Sequence, residues 1–113
     1  MDKNYGSFIW NAEKEKVNIV KHGVDFPAAS RAFLDPKRKI FVNTKHSETE
    51  ERFFCIGKVD GKVLTVRFVY RGEKIRLFGA GYWRGGKKYY ESKESLGDAA
   101  GQVDPGKRFS APA

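Results

Sequence analysis

Two turns, Asp60-Gly61 and Arg71-Gly72, divide the stretch from Glu51 to Ala80 into three runs rich in β-branched and aromatic residues. Two-residue loops between such runs join antiparallel strands, and Asp-Gly readily accepts the positive φ angles that these loops need. The stretch is therefore predicted to be a three-strand meander on which the rest of the chain packs. With both loops two residues long, Phe53, Cys55, Leu64, Val66, Phe68, Ile75 and Leu77 share one face, as a sheet burying one side requires. The other face receives Arg52, Phe54, Lys58, Arg67, Arg76 and Phe78. This register sets Arg67 opposite Arg76, where like charges repel unless an anion lies between them. Moving the second turn by one residue is expected to put Arg76 on the apolar face, which favours the Arg71-Gly72 placement.

The chain has 113 residues, 22 lysines and arginines against 14 acids, and a net charge of +8. A field of that sign attracts polyanions, so the cationic-aromatic face is the leading working surface. From Ser95 onward Lys107 and Arg108 cancel Asp98 and Asp104, so the excess charge belongs to the folded part. No apolar run approaches the roughly 18 residues of a membrane span, and Met1 to Phe8 lacks the apolar segment of a secretory signal. The lone Cys55 forms no internal disulfide and fits a reducing cytoplasm. These features predict one α+β domain over residues 1–94, with a flexible tail over 95–113 rich in Gly, Ala, Pro and Ser.

Along the chain, Tyr5 to Trp10 is predicted as a first strand. Asn11 is an N-cap for a helix from Ala12 to about His22, closed by a left-handed Gly23. Val17, Val20 and Val24 form its apolar stripe, and His22 suits the negative end of the helix dipole in a structural role. Asp25 caps a second short helix with Pro27 in its first turn, ended by Asp35-Pro36. Lys39 to Thr44 reads as a strand, followed by a polar link into the meander. After Ala80, the stretch from Gly81 to Gly86 reads as an irregular bend and Lys87 to Glu91 as a final helix.

The residue inventory excludes several chemistries. His22, His46 and Cys55 do not have zinc-ligand spacing, the glycine-containing pieces Gly57 to Gly61 and Gly79 to Gly81 lack a phosphate-loop ending, and Cys55 falls on the core face. What remains suits phosphate chemistry without a metal or other cofactor. Arg52, Arg67 and Arg76 can grip phosphate oxygens, and His46, Glu50 or Glu51 can move a proton. In RNA such a site activates the 2′-hydroxyl against the adjacent phosphorus. Phe54, Phe78, Tyr82 and Trp83 can stack on unpaired bases, while Lys58, Arg84, Lys87 and Lys88 extend the cationic surface. A basic module that binds RNA or a protein without cleaving anything is the alternative.

Several segments resemble the BrnT toxins of bacterial type II toxin–antitoxin pairs: Phe8-x-Trp10-Asn11 with Lys14; Asn18 with Lys21-His22-Gly23-Val24-x-Phe26; Ala29 and Phe33-Leu34-Asp35-Pro36; His46-Ser47; Glu50-Glu51-Arg52; Gly57; Leu64-Thr65-Val66; and Ile75-Arg76. The resemblance covers roughly residues 8 to 91. It implies a RelE-like fold: a small antiparallel sheet, the meander plus one or two N-terminal strands, with two N-terminal helices and a C-terminal one. It also implies a cytoplasmic ribonuclease that stops translation. A cognate antitoxin, BrnA, would hold it inactive in a complex that represses its own operon. Residue by residue, it supports His46, Glu51, Arg52 and Arg76 as catalytic, and it gives Lys21, His22 and Gly23 a motif of structural character. Many members carry Ser-Ala-Arg where this chain has Gly79-Ala80-Gly81. The missing arginine leaves Arg84 as a replacement, or else leaves a protein that binds its antitoxin with cleavage weakened or lost.

Overall fold

The computed structural model describes residues 1–43 and 50–92. His46 and the tail predicted over 95–113 therefore lie outside the described residues. The elements are β1 (Asp2–Tyr5), β2 (Phe8–Asn11), α1 (Ala12–His22), α2 (Phe26–Ser30) with a 3-10 turn (Arg31–Leu34), β3 (Lys39–Val42), β4 (Phe53–Val59), β5 (Lys62–Arg71), β6 (Lys74–Gly81) and α3 (Arg84–Glu91). They build an α+β fold around one six-stranded sheet in the order β1-β2-β6-β5-β4-β3.

The meander forms as expected, and its first turn has both predicted positive angles, φ 52° at Asp60 and 81° at Gly61. The second turn lies one residue further on. Arg71 pairs with Lys74, so the loop is Gly72-Glu73 with Gly72 at φ 61°. Moving a two-residue loop by one residue changes every pairing by two, which preserves the faces. Contrary to expectation, Arg76 therefore stays off the apolar face and is simply set opposite Val69 rather than Arg67. A bulge then inserts Phe78, and Arg67 comes to face Gly79.

The sheet is mixed rather than antiparallel, because β2 runs parallel to β6. The predicted first strand is a hairpin, β1 and β2, turning at Gly6. On one face lies the main core of Trp10, Val24, Phe26, Cys55, Leu64, Val66, Phe68 and Leu77, closed by α2 and the 3-10 turn. Burying each large side chain contributes roughly 1.5–3 kcal/mol. On the other face Phe54, Ile56 and Val63 form a smaller cluster with Phe41, Tyr89 and Tyr90. The chain's own α3 thus covers apolar residues of the surface expected to be open. That helix begins at Arg84, three residues before the predicted start, and runs through Gly85 and a buried Gly86. Lys39 Nζ fastens its end by donating to the carbonyls of Tyr89, Tyr90 and Ser92. The Tyr90 hydroxyl donates to Asp35, which also accepts the Lys37 and Lys58 amides.

Helix α1 has the predicted limits, with Asn11 accepting from the amides of Glu13 and Lys14 and Gly23 left-handed at φ 70°. Its packing face is not the predicted one: Val17 is 53% and Val20 85% exposed, and Glu15 and Asn18 point inward. Glu15 accepts from Trp10 Nε1 and the Phe26 amide. Asn18 accepts from the Ala80 amide and donates to the carbonyls of Ala80 and Val24. The register of β2 on β6 ends at Leu77, so the Asn18 amide supplies the backbone partners that Ala80 lacks there. This anchors α1 along the second half of β6.

Candidate functional site

Where α1 meets the end of β6, a cleft of about 310 Å³ opens, lined by Lys14, Val17, Asn18, Lys21, His22, Arg67, Phe78 and Glu13. Arg67 is its centre. The guanidinium carbon lies 5.6 Å from the ring centroids of both Phe78 and Trp83. Beneath it is Gly79, where an added Cβ would sit 2.5 Å from Nη2 and 2.7 Å from Nε. The bulge and this glycine together give the arginine its seat, a use of bulges common near functional sites. Arg52 lies against the same Phe78 ring, 5.1 Å from its centroid. Burial, and then the charge of Arg52, lower the Arg67 pKa. Among the described residues no carboxylate forms an ion pair with Arg67, and its buried Nε has no hydrogen-bond partner. Two guanidinium groups on one ring, one of them partly dehydrated and unpaired, favour an anion with several acceptor oxygens.

His22 borders the cleft with its ring edge-on to Trp83, the centroids 5.2 Å apart. Gly81 makes room for the Trp83 ring, since a Cβ there would lie 3.0 Å from it. Burial, then Arg67 and Lys21, lower the pKa of this histidine. The structural role expected from its place in the helix did not anticipate this position. Trp83 is distant in sequence, and only the fold brings the two together.

The other predicted residues divide. Arg52 and Arg67 are brought together, whereas Arg76 is turned away and makes two hydrogen bonds to Asp2, at 3.1 and 3.2 Å. Its guanidinium holds the Asp2 carboxyl below the usual range. Glu51 is an exposed residue just before β4, and Glu50 pairs with Arg71 at 3.2 Å. Lys58 is at the opposite end of β4 from Arg52, beside Asp35 and Asp60, outside the cleft. Tyr82 is half exposed with Lys62 5.5 Å from its ring centroid. Arg84, Lys87 and Lys88 are exposed on α3, and Arg84 does not line the cleft. Phe54 is buried beneath α3 and is closed to base stacking. Among the described residues no three His, Cys, Asp or Glu side chains gather as a metal site, and no helix is long and apolar enough to cross a membrane.

A comparison with curated proteins finds no match. The family model for the ribonuclease toxin BrnT of type II toxin–antitoxin systems matches residues 10–85, from the end of β2 through the whole meander to the start of α3. That span holds every cleft residue, and the chain belongs to the BrnT family of ribonuclease toxins.

Proposed function

We propose that this protein is an endoribonuclease toxin whose reaction takes place in the Arg67 cleft and needs no metal. The observation that carries this reading is Arg67, held between Phe78 and Trp83 over a glycine, with an unpartnered Nε beside a second guanidinium. A scissile phosphate seated there would meet Arg67, with Lys14 and Lys21 of the lining to hold the flanking backbone and Arg52 adding positive charge from its place against the same Phe78 ring. Positive charge fixed in advance stabilises the extra negative charge of a pentacoordinate phosphorus, and one such donor is commonly worth 10²–10³ in rate. The nucleophile is the neighbouring 2′-hydroxyl. The family resemblance offers Glu51 and His46 as candidates for proton transfer, and Arg76 as a third arginine of the same sheet face, although Asp2 engages its guanidinium outside the cleft lining. Exposed Tyr82, Arg84, Lys87 and Lys88 extend the RNA path.

The family supplies the coarser frame of an RNA substrate and an antitoxin partner. Our reading adds a RelE-like fold, translation arrest in the cytoplasm, neutralisation by a BrnA-like antitoxin, and contact with operator DNA only through that antitoxin. The binding-only alternative draws on Gly81, which stands where many relatives carry arginine. Arg67 answers it, because Gly79 and Gly81 free the space that its guanidinium and the Trp83 ring occupy. Arg67→Ala in a cleavage assay with EDTA present tests the reading. We expect a rate loss of about 10² or more with the fold retained. Full activity in the variant would remove the cleft from the mechanism, and intact RNA with the wild type would favour binding alone.

A further inference from the structure

We propose that His22 is the general base of the cleft, removing the proton from the RNA 2′-hydroxyl as that oxygen attacks the phosphorus held by Arg67. The assignment rests on the ribonuclease reading and deepens it by naming a catalytic residue from the cleft itself. The ring lines the same cavity as Arg67 and is placed by its edge-on contact with Trp83, the centroids 5.2 Å apart. A base must stand within hydrogen-bond reach of the proton it takes, and among the cleft-lining residues two can accept one at neutral pH, His22 and Glu13. Glu13 is an exposed residue of the first turn of α1 engaged with Lys16 at 3.8 Å, whereas His22 is half-buried at the inner wall.

The charged groups around His22 are consistent with a neutral imidazole. Lys21 and Lys14 on α1 and Arg67 on β5 are cationic, Glu13 is the one acid of the cleft lining, and Trp83 and Phe78 are uncharged. Burial, Arg67 and Lys21 all act to lower the pKa from 6.5, so the ring is unprotonated and basic at pH 7. In the step, the 2′-hydroxyl proton passes to an imidazole nitrogen and the O2′–P bond forms. The P–O5′ bond breaks, and O5′ leaves with a proton taken from water. The products are a 2′,3′-cyclic phosphate and a 5′-hydroxyl, with His22 returning its proton to solvent.

The test compares wild type with His22→Gln and His22→Ala, on an RNA oligonucleotide under single-turnover conditions from about pH 5 to about pH 8. Binding is measured separately on the oligonucleotide with a 2′-deoxy residue at the scissile position. The expected wild-type rate rises with pH through one ionisation below 6.5 and then levels. His22→Gln loses roughly 10²–10⁴ in rate along with that ionisation, while it binds the deoxy oligonucleotide like wild type, and added imidazole restores part of the His22→Ala rate. If His22→Gln keeps the wild-type rate and profile, or loses binding rather than rate, the assignment is overturned while the ribonuclease reading stands. A wild type that binds RNA and leaves it whole overturns both.

Discussion

Gly79→Ala is expected to remove activity while leaving the fold standing. The new Cβ would lie 2.5 Å from Arg67 Nη2, 2.7 Å from Nε and 3.0 Å from Cζ, distances no side chain tolerates. All three atoms belong to the end of a long side chain, so the guanidinium swings out and the strand need not move. Leaving the seat forfeits two cation–π contacts, each worth roughly 0.5–2 kcal/mol. Rehydration of the charge and the gain of about 0.5–1 kcal/mol from replacing glycine within a strand offset much of that. The net change in stability is then about 1 kcal/mol or less. The rate falls much further, because charge-assisted hydrogen bonds of about 1.5–3 kcal/mol to the phosphate are lost and preorganisation goes with them, for a total of roughly 10²–10³. The assay is a double-mutant cycle with Arg67→Ala, reading both RNA cleavage and denaturant unfolding. If Gly79 acts only by seating Arg67, its substitution does almost nothing further in the Arg67→Ala background. Equal losses in both backgrounds would refute the reasoning.

Four more outcomes follow from the packing. Gly57→Ala puts a Cβ 2.3 Å from the backbone oxygen of Ala32, which cannot swing aside, so a loss of about 3 kcal/mol is expected in denaturant unfolding. Asn18→Ala strips partners from the Ala80 amide and carbonyl and from the Val24 carbonyl, for roughly 3 kcal/mol and faster hydrogen exchange at Ala80. Burial pushes the Cys55 thiol up to about 12, so a thiol reagent should label it only once the chain is unfolded. Because the His22 pKa is lower folded than unfolded, the unfolded chain takes up a proton first as pH falls. Stability is then lost from about pH 6.5 down to the folded value, and pH-dependent melts of His22→Gln should lack that slope.

Much of the central sheet is legible in the sequence, because strict alternation assigns the residues of the meander before the bulge at Phe78 to a face without knowledge of the turn. That indifference also leaves the second turn open to either placement. Either loop puts the same residues on the same faces, and only the pairing of Arg76 with Val69 distinguishes them. Asn11 and Gly23 locate helix α1, but the valine stripe points to a face that the fold leaves exposed. Its inward positions are polar, and their value lies in hydrogen bonds to Trp10, Phe26 and Ala80 that no local pattern reveals. The extent of α3 is hidden by Gly85-Gly86, residues that weaken an isolated helix and here sit in its first turn, Gly86 being buried. The site was half legible. Arg52 and Arg67 follow from the sheet face, but Arg76 is claimed by Asp2 on a strand not expected to be there. The part played by His22 depends on Trp83, reached only through the fold. The glycines of Gly79-Ala80-Gly81 read in sequence as a gap in the site, and in space they make room for Arg67 and Trp83.

The central claim is that Arg67 and its neighbours direct an RNA 2′-hydroxyl onto phosphorus. The most direct measurement is cleavage, by the wild-type protein in EDTA, of a matched pair of oligonucleotides, one all-ribose and one with a single 2′-deoxy residue at the scissile position. The account predicts that the ribose strand is cut to a 2′,3′-cyclic phosphate and a 5′-hydroxyl, and that the deoxy strand is bound equally well and left whole. Equal cleavage of both strands would contradict it.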